Sequence, residues 1–244
     1  MRIDVFLTEH GFCNSRTEAK NLITGGSVEY LGKTVTKPSF DIPEDATEIM
    51  VDRSSIRFVS RGGEKLASAL AEFKVNAKGR DAIDVGASSG GFTDCLLKEG
   101  ACRVLSVDSG SGQLVESLRR DERVFVYEGY NARYMKREDF EFIPDLAVMD
   151  VSFISATLIM PALYETLKEN SDFICLIKPQ CEVGRSGLGK GGIVKDEKIR
   201  NQAVTKVTDF AKSLGFSVMG VIKSPILGGD GNVEFLAHLR KEKL

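Results

Sequence analysis

From residue 82 onward, short apolar runs rich in β-branched residues alternate with stretches of helical length. That rhythm restricts the chain to an α/β fold built on a doubly wound parallel sheet. The runs Ala82–Val85, Arg103–Val107, Val124–Tyr127, Leu146–Val151 and Phe173–Ile177 predict buried strands. Between them, Phe92–Glu99, Gln113–Arg120, Arg133–Phe140 and Thr157–Lys168 predict helices, and Lys195–Leu214 predicts a longer one closed by Gly215. Two final strands, Ser217–Lys223 and Val233–Arg240, are joined only by Ser224–Asn232. That link is too short for a crossover helix, so the pair should run antiparallel.

Residues 1–52 predict a separate small module, residues 53–60 a linker, and residues 61–244 the α/β domain. In the module, Ser15-Arg16-Thr17-Glu18 has capping-box spacing and opens a helix ended by Gly25-Gly26, with Ala19, Leu22 and Ile23 as its buried stripe. A strand at Val28–Tyr30 turns back through Leu31-Gly32-Lys33 into Thr34–Thr36. Arg16, Lys20, Lys33 and Lys37 could share one side of this unit, either as a solvated face or as an RNA-binding one. In the α/β domain, Gly63–Phe73 predicts a leading helix with Leu66, Ala69, Leu70 and Phe73 on one face.

Charge does not advertise a polyanionic partner. The formal net charge of the 244 residues is -2, so any basic surface must be local. The five cysteines form no CxxC pair, which disfavours a zinc site and a disulfide framework and suits a reducing, cytoplasmic setting. No metal-ligand pattern occurs, and His10 and His238 are far apart in sequence. Charged Arg2, Asp4 and Glu9 argue against a signal peptide. No apolar run approaches the roughly 18 residues that span a bilayer.

The turn after the first predicted strand of the domain reads Gly86-Ala87-Ser88-Ser89-Gly90-Gly91-Phe92. Glycine at such a turn lets the backbone approach a ligand, and ligands of open α/β sheets bind beyond the carboxyl ends of the strands. The pattern is GxxxGG, not the dinucleotide fingerprint. Asp84 precedes the turn and would repel a pyrophosphate. Asp108 ends the next strand, 22 residues after Gly86, where a carboxylate takes a ribose diol. The two acids together suit S-adenosylmethionine, whose sulfonium is positive. Gly129-Tyr130-Asn131 could line the adenine side. A nicotinamide dehydrogenase is the competing enzyme class, and Asp84 together with the missing fingerprint argues against it.

Four further residues fall at or beside element ends: Lys65, Asp150, Lys178 and Glu234. A ribose 2′-hydroxyl is a poor nucleophile at neutral pH, and two ammonium groups with two carboxylates could activate it. A lysine of ordinary pKa is protonated and cannot act as base. Burial or a neighbouring ammonium lowers that pKa. Lys65 is therefore expected to depress Lys178, which would take or steer the hydroxyl proton, while Asp150 orients Lys178 and Glu234 positions Lys65. Val183–Asp196 is glycine-rich and carries Arg185, Lys190 and Lys195, a composition suited to a clamp on RNA phosphates.

These blocks resemble a known family. Residues 61–240 are similar to the FtsJ-like ribosomal RNA methyltransferases, whose lysine-aspartate-lysine-glutamate tetrad matches Lys65, Asp150, Lys178 and Glu234. Arg2-Ile-Asp-Val-Phe-Leu and Ser15-Arg16-Thr17-Glu18-Ala19 resemble an S4 RNA-binding domain. The combination resembles the hemolysin A (TlyA) family, as do Ser60–Lys65, Gly86–Asp94, Asp150–Ser155, Lys178-Pro179-Gln180 and Gly189–Gly192. The resemblance implies a Rossmann-like S-adenosylmethionine-dependent methyltransferase sheet, mostly parallel with an antiparallel last strand, behind a small α+β S4 domain. It implies 2′-O-methylation of cytidine in ribosomal RNA. The implied site includes Asp84, Gly86, Ala87, Ser88, Gly90, Gly91, Phe92, Asp108, Asn131 and Asp150 for the donor. Arg16, Lys20, Lys33, Arg61, Arg185 and Lys190 are the candidates for RNA. A non-catalytic RNA-binding protein and a membrane-active haemolysin are the alternatives. Relatives can carry an Arg-x-Trp-Trp linker motif; this chain has no tryptophan, so a linker role in donor binding is not carried over.

Overall fold

The computed structural model describes residues 1–13, 16–52, 57–184, 187–228 and 231–243. It divides into two compact units, Met1–Arg61 and Gly62–Leu244.

The first unit opens with α1 (Ile3–Glu9), which the sequence reading left unassigned, followed by α2 (Arg16–Thr24). Ile3, Phe6 and Leu7 recur at helical spacing and bury against Ala19, Leu22 and Ile23. Strands β1 (Val28–Tyr30), β2 (Lys33–Thr34) and β3 (Ile49–Val51) form an antiparallel sheet in the order β2-β1-β3. β3 was also unassigned, and β2 is shorter than expected. Asp4 is fully buried beneath two guanidiniums, Arg2 Nε at 2.9 Å and Arg16 Nη2 at 3.1 Å. Burial alone would raise its pKa; the two arginines outweigh that and hold the carboxyl below its usual value.

The second unit opens with α3 (Gly62–Phe73). Six strands and the helices between them follow: β4 (Asp81–Val85), α4 (Gly91–Lys98), β5 (Arg103–Val107), α5 (Glu116–Arg119), β6 (Val124–Tyr127), β7 (Leu146–Met149), α6 (Met160–Thr166), β8 (Ser171–Ile177), α7 (Pro179–Glu182), α8 (Glu197–Leu214) and β9 (Phe216–Lys223). A seventh strand, β10 (Phe235–Lys241), closes the chain. The sheet order is β6-β5-β4-β7-β8-β10-β9, and only β10 runs against its neighbours. The chain moves outward from β4 to β6, returns, and moves outward the other way from β7. With right-handed crossovers this reversal puts helices on opposite faces and opens a crevice where β4 meets β7. The strands read as continuous apolar runs because both faces are covered; all seven residues of β8 are buried.

Among the expected elements that differ, three do so for a plain local reason. Arg133–Phe140 is not a helix but two single 3-10 turns, Ala132–Tyr134 and Arg137–Asp139. The Asp139 side chain accepts from the Lys136 N–H at 2.9 Å and the Tyr130 hydroxyl at 2.5 Å, local bonds that compete with a helix. The expected helix at Gln113 begins only at Glu116, because the Glu128 carboxylate takes the amides of Gly112, Gln113 and Leu114. β7 stops at Met149 rather than Val151. The Asp150 amide still bonds the Val85 carbonyl at 3.0 Å, after which the chain turns away through Phe153 at φ 65°.

Candidate active site

The strand that ends in the glycine turn carries Asp84 inside the sheet rather than at the mouth of the turn, as the sequence suggested. Its side chain is fully buried; Oδ2 accepts from Thr93 Oγ1 at 2.7 Å, while Oδ1 has no partner. Burial first, then the nearby charges of Asp150 and Asp108, push this carboxyl up to about 7 despite the Thr93 bond. Three carboxylates thus gather at the crevice, and one buried oxygen waits for a donor.

The two glycines that frame the turn do different things. Gly86 has φ 87°, and a Cβ there would run into the Asp150 carbonyl oxygen. It lets the end of β4 lie flat against the strand end that bears Asp150. Gly90, at φ 98°, caps α4, and a Cβ there would strike Leu118 and meet Leu114 at 2.8 Å. Gly90 therefore answers to packing as well as to any ligand. Ala87 and Phe92 are buried, Phe92 with only 3% exposure, and Gly91 starts the helix. Ser88, at φ 48°, turns its amide onto Asp108 Oδ2 at 2.8 Å, and Gly110 N–H bonds Asp108 Oδ1 at 2.7 Å. Each Asp108 oxygen keeps a lone pair, the pattern that accepts a diol. The Tyr130 amide bonds the Asp108 carbonyl at 2.9 Å, which sets residues 129–131 beside this acid. The Asn131 side chain caps the adjoining 3-10 turn through the Arg133 amide at 3.2 Å.

The remaining four candidates form two lysine–acid pairs. Lys65 Nζ lies 2.5 Å from Glu234 Oε2, with side-chain exposures of 9% and 2%. Glu234 does not interrupt the last strand; it stands one residue before β10, and Gly228 leaves the room its Oε1 occupies. Lys178 Nζ lies 2.5 Å from Asp150 Oδ1 and 2.6 Å from Ser152 Oγ. Lys178 also feels the Glu234 charge, which joins the two pairs into one cluster. The expectation of a depressed Lys178 pKa is overturned. Burial does work to lower it, but Asp150, at contact distance, and Glu234 outweigh burial and raise it. Lys178 is held as an ammonium.

Sequence reasoning singled out no role for Ser152, Thr93 or Glu182. Ser152 and Thr93 stand inside the conspicuous blocks, yet a hydroxyl carries no periodic signal, and only the fold brings each to its acid or lysine. Among the RNA candidates, Lys20, Lys33 and Lys190 are exposed, Arg61 is half-buried, and Arg16 spends its guanidinium on Asp4. Arg185 and Ser15, and residues 53–56 of the linker, lie outside the described residues.

An open α/β sheet with one reversed strand, a glycine turn at its carboxyl edge and an acid-lined crevice defines a Rossmann-like methyltransferase fold. The family model for FtsJ-like methyltransferases matches residues 58–241, and that for S4 domains matches residues 1–47. The chain belongs to the FtsJ-like methyltransferase family, with an S4 domain at residues 1–47. It is 45% identical to YqxC of Bacillus subtilis, described as a presumed rRNA methyltransferase, over 98% of this chain and 85% of that protein. It is 41% identical to the 16S/23S rRNA (cytidine-2′-O)-methyltransferase TlyA of Mycobacterium tuberculosis, over 99% of this chain and 90% of the relative. A solved structure of a presumed hemolysin from Streptococcus thermophilus superposes with a TM-score of 0.80 at 43% identity, covering 100% of this chain and 89% of that one.

Proposed function

We propose that this chain transfers a methyl group from S-adenosylmethionine to a ribose 2′-hydroxyl of ribosomal RNA, with cytidine as the target nucleoside. The observation that carries the reading is the pairing of Lys178 with Asp150 and Lys65 with Glu234 at the same sheet edge as the donor crevice. The target nucleoside follows the printed name of the Mycobacterium tuberculosis relative, and the S4 domain supports an RNA partner. Among the described residues no helix is long and apolar enough to cross a membrane.

The donor fits the residues present. The unpartnered Asp84 Oδ1 suits a cationic group, and the Asp108 carboxylate suits a ribose diol. When bound, S-adenosylmethionine supplies an electrophilic methyl on a positive sulfur. The rest of the work falls to the protein. Lys178, kept protonated by Asp150, donates to the 2′-oxygen and stabilises the negative charge that builds there as the hydroxyl proton passes to the Glu234 carboxylate. The Lys65–Glu234 pair holds the other side of the acceptor oxygen. Most of the acceleration comes from alignment of oxygen, methyl carbon and sulfur.

The test is methyl transfer from radiolabelled donor to ribosomal RNA, offered as free RNA and as each subunit. Label is expected on a ribose oxygen of cytidine. Label on a base, or none on any of these acceptors, overturns the reading.

A further inference from the structure

Glu182 is a buried carboxylate outside the two lysine–acid pairs, and every oxygen of it is engaged. Its Oε1 accepts from the Ala156 N–H at 2.7 Å, and its Oε2 accepts from Ser155 Oγ at 2.5 Å and from Lys206 Nζ at 3.2 Å. Lys206, on α8, also bonds the Glu182 carbonyl at 2.8 Å. The Glu182 side chain is 2% exposed, so this ammonium is the countercharge its burial requires.

Two strips of chain run side by side here. One is Lys178–Glu182, with Lys178 as the cap of α7 and Glu182 as its last residue. The other is Asp150–Ala156, which has no helix or strand until the 3-10 turn at Ala156–Leu158. The strips are tied at two places. Lys178 meets Asp150 and Ser152 at one end, and Glu182 takes Ser155 and Ala156 at the far end. Between the two ties stands Phe153, a fully exposed ring on a backbone at φ 65°. A non-glycine residue in that conformation persists only where its surroundings hold it.

We infer that Glu182 is a positioning residue for methyl transfer: anchored by Lys206, it fixes Ser155 and Ala156 and so sets where Asp150 and Ser152 meet Lys178 Nζ. The inference rests on the proposed function for its catalytic consequence. Asp150, Glu234 and Cys181 are the charged or titratable groups that act on Lys178. With the far tie cut, the Asp150 strip slackens, the effect of burial prevails, and Lys178 gives up its proton at lower pH. Glutamine can keep the tie to the Asp150 strip, because its amide oxygen accepts from Ala156 while its NH₂ donates to Ser155 Oγ, and Lys206 keeps its bond to the residue-182 carbonyl.

The experiment compares the full chain with Glu182→Ala, Glu182→Gln and Ser155→Ala. Three quantities are read: single-turnover methyl transfer to ribosomal RNA, S-adenosylmethionine affinity by calorimetry, and the pH midpoint of Lys178 acetylation by mass spectrometry. Glu182→Ala should slow transfer by about 100-fold with donor affinity within about twofold, since misplacement by an ångström costs that much. The Lys178 midpoint should fall, Glu182→Gln should recover most of the rate, and Ser155→Ala should lie between. An unshifted midpoint in both Glu182→Ala and Ser155→Ala overturns the inference, and so does a loss of donor affinity in step with the rate. Glutamine as damaging as alanine also overturns it. If Glu182→Ala does not fold, Ser155→Ala decides. Failure of the unsubstituted protein to transfer methyl strikes the proposed function instead, and the Lys178 midpoint still judges the positioning role.

Discussion

The two edges of the seven-stranded sheet use the same residue types to opposite ends. At the amino edge of the parallel strands, Arg80 bonds Asp145 at 3.0 Å and Asp172 at 2.5 Å. There too, Arg103 bonds Asp81 at 2.6 Å, and His238 Nε2 meets Asp172 at 2.8 Å. Every one of these acids has a cationic or histidine partner supplied by the chain. At the carboxyl edge, Asp84 keeps a buried oxygen without a donor. The first edge is complete by itself. The second is left in tension that a cationic ligand and a hydroxyl would relieve, and perturbed acids concentrate where chemistry is done.

Lys178→Ala gives the largest expected contrast between the edges. Loss of one charged donor to a developing oxyanion costs about 10²- to 10³-fold in rate. Methyl transfer should fall by that amount, with S-adenosylmethionine affinity unchanged by calorimetry, because Asp84 and Asp108 remain. A variant that turns over normally removes Lys178 from the mechanism and erases the functional difference between the edges.

Much of this site could be located from the chain alone, since strand ends in an α/β rhythm point to one edge. Asp150 and Lys178 follow apolar runs, so their place beside β7 and β8 was legible. The ionisation of Lys178 was not. Its sign depends on whether an acid or another lysine stands nearest, and no spacing encodes that. Asp84 was placed at the mouth of the glycine turn because it precedes it; in the fold its buried side chain faces α4, where it meets Thr93, nine residues on. The helix expected at Arg133–Phe140 failed where side chains offered the backbone other partners, and α1 escaped notice because one turn of apolar spacing over seven residues is a weak signal. Glu182 carried no signal at all: its partners Ser155 and Ala156 are distant in sequence.

Asp84→Asn should have the next largest effect. The carboxyl titrates at about 7, so it is neutral below that pH and cannot attract a cation. Donor affinity is therefore expected to rise as pH increases through 7. Asparagine should weaken binding by about 10- to 100-fold at pH 8, the worth of a hydrogen bond to a charged group, and flatten the pH dependence. The sign for stability is the reverse. The folded-state pKa lies above the ordinary 3.8, so the fold favours the protonated form, and stability from this group is lost as pH rises from about 4 to 7. The donor-free Asn variant should accordingly unfold at higher denaturant than the parent at pH 8. A loss of stability there would mean that the crevice does not hold a destabilised acid.

Asp172→Asn probes the other edge and should have the smallest effect. Burial would raise this carboxyl, but the His238 and Arg80 hydrogen bonds outweigh it and pull the pKa down from 3.8 to about 2. Folded and ionised, it contributes stability that is present above its ordinary pKa and is lost as pH falls through 4 toward 2. Asparagine keeps an acceptor for His238 and Arg80, so the expected loss in the variant at pH 7 is about 1 kcal/mol, less than full conversion of that shift. Denaturant unfolding across pH should show the parent and variant converging near pH 2. Methyl transfer and donor affinity should not change, because Asp172 pairs with Lys241's neighbour Arg240 across β10, at the end of the strands opposite Lys178. A fall in transfer at preserved stability would mean that the two edges are coupled through the sheet, and the division of labour between them would be lost.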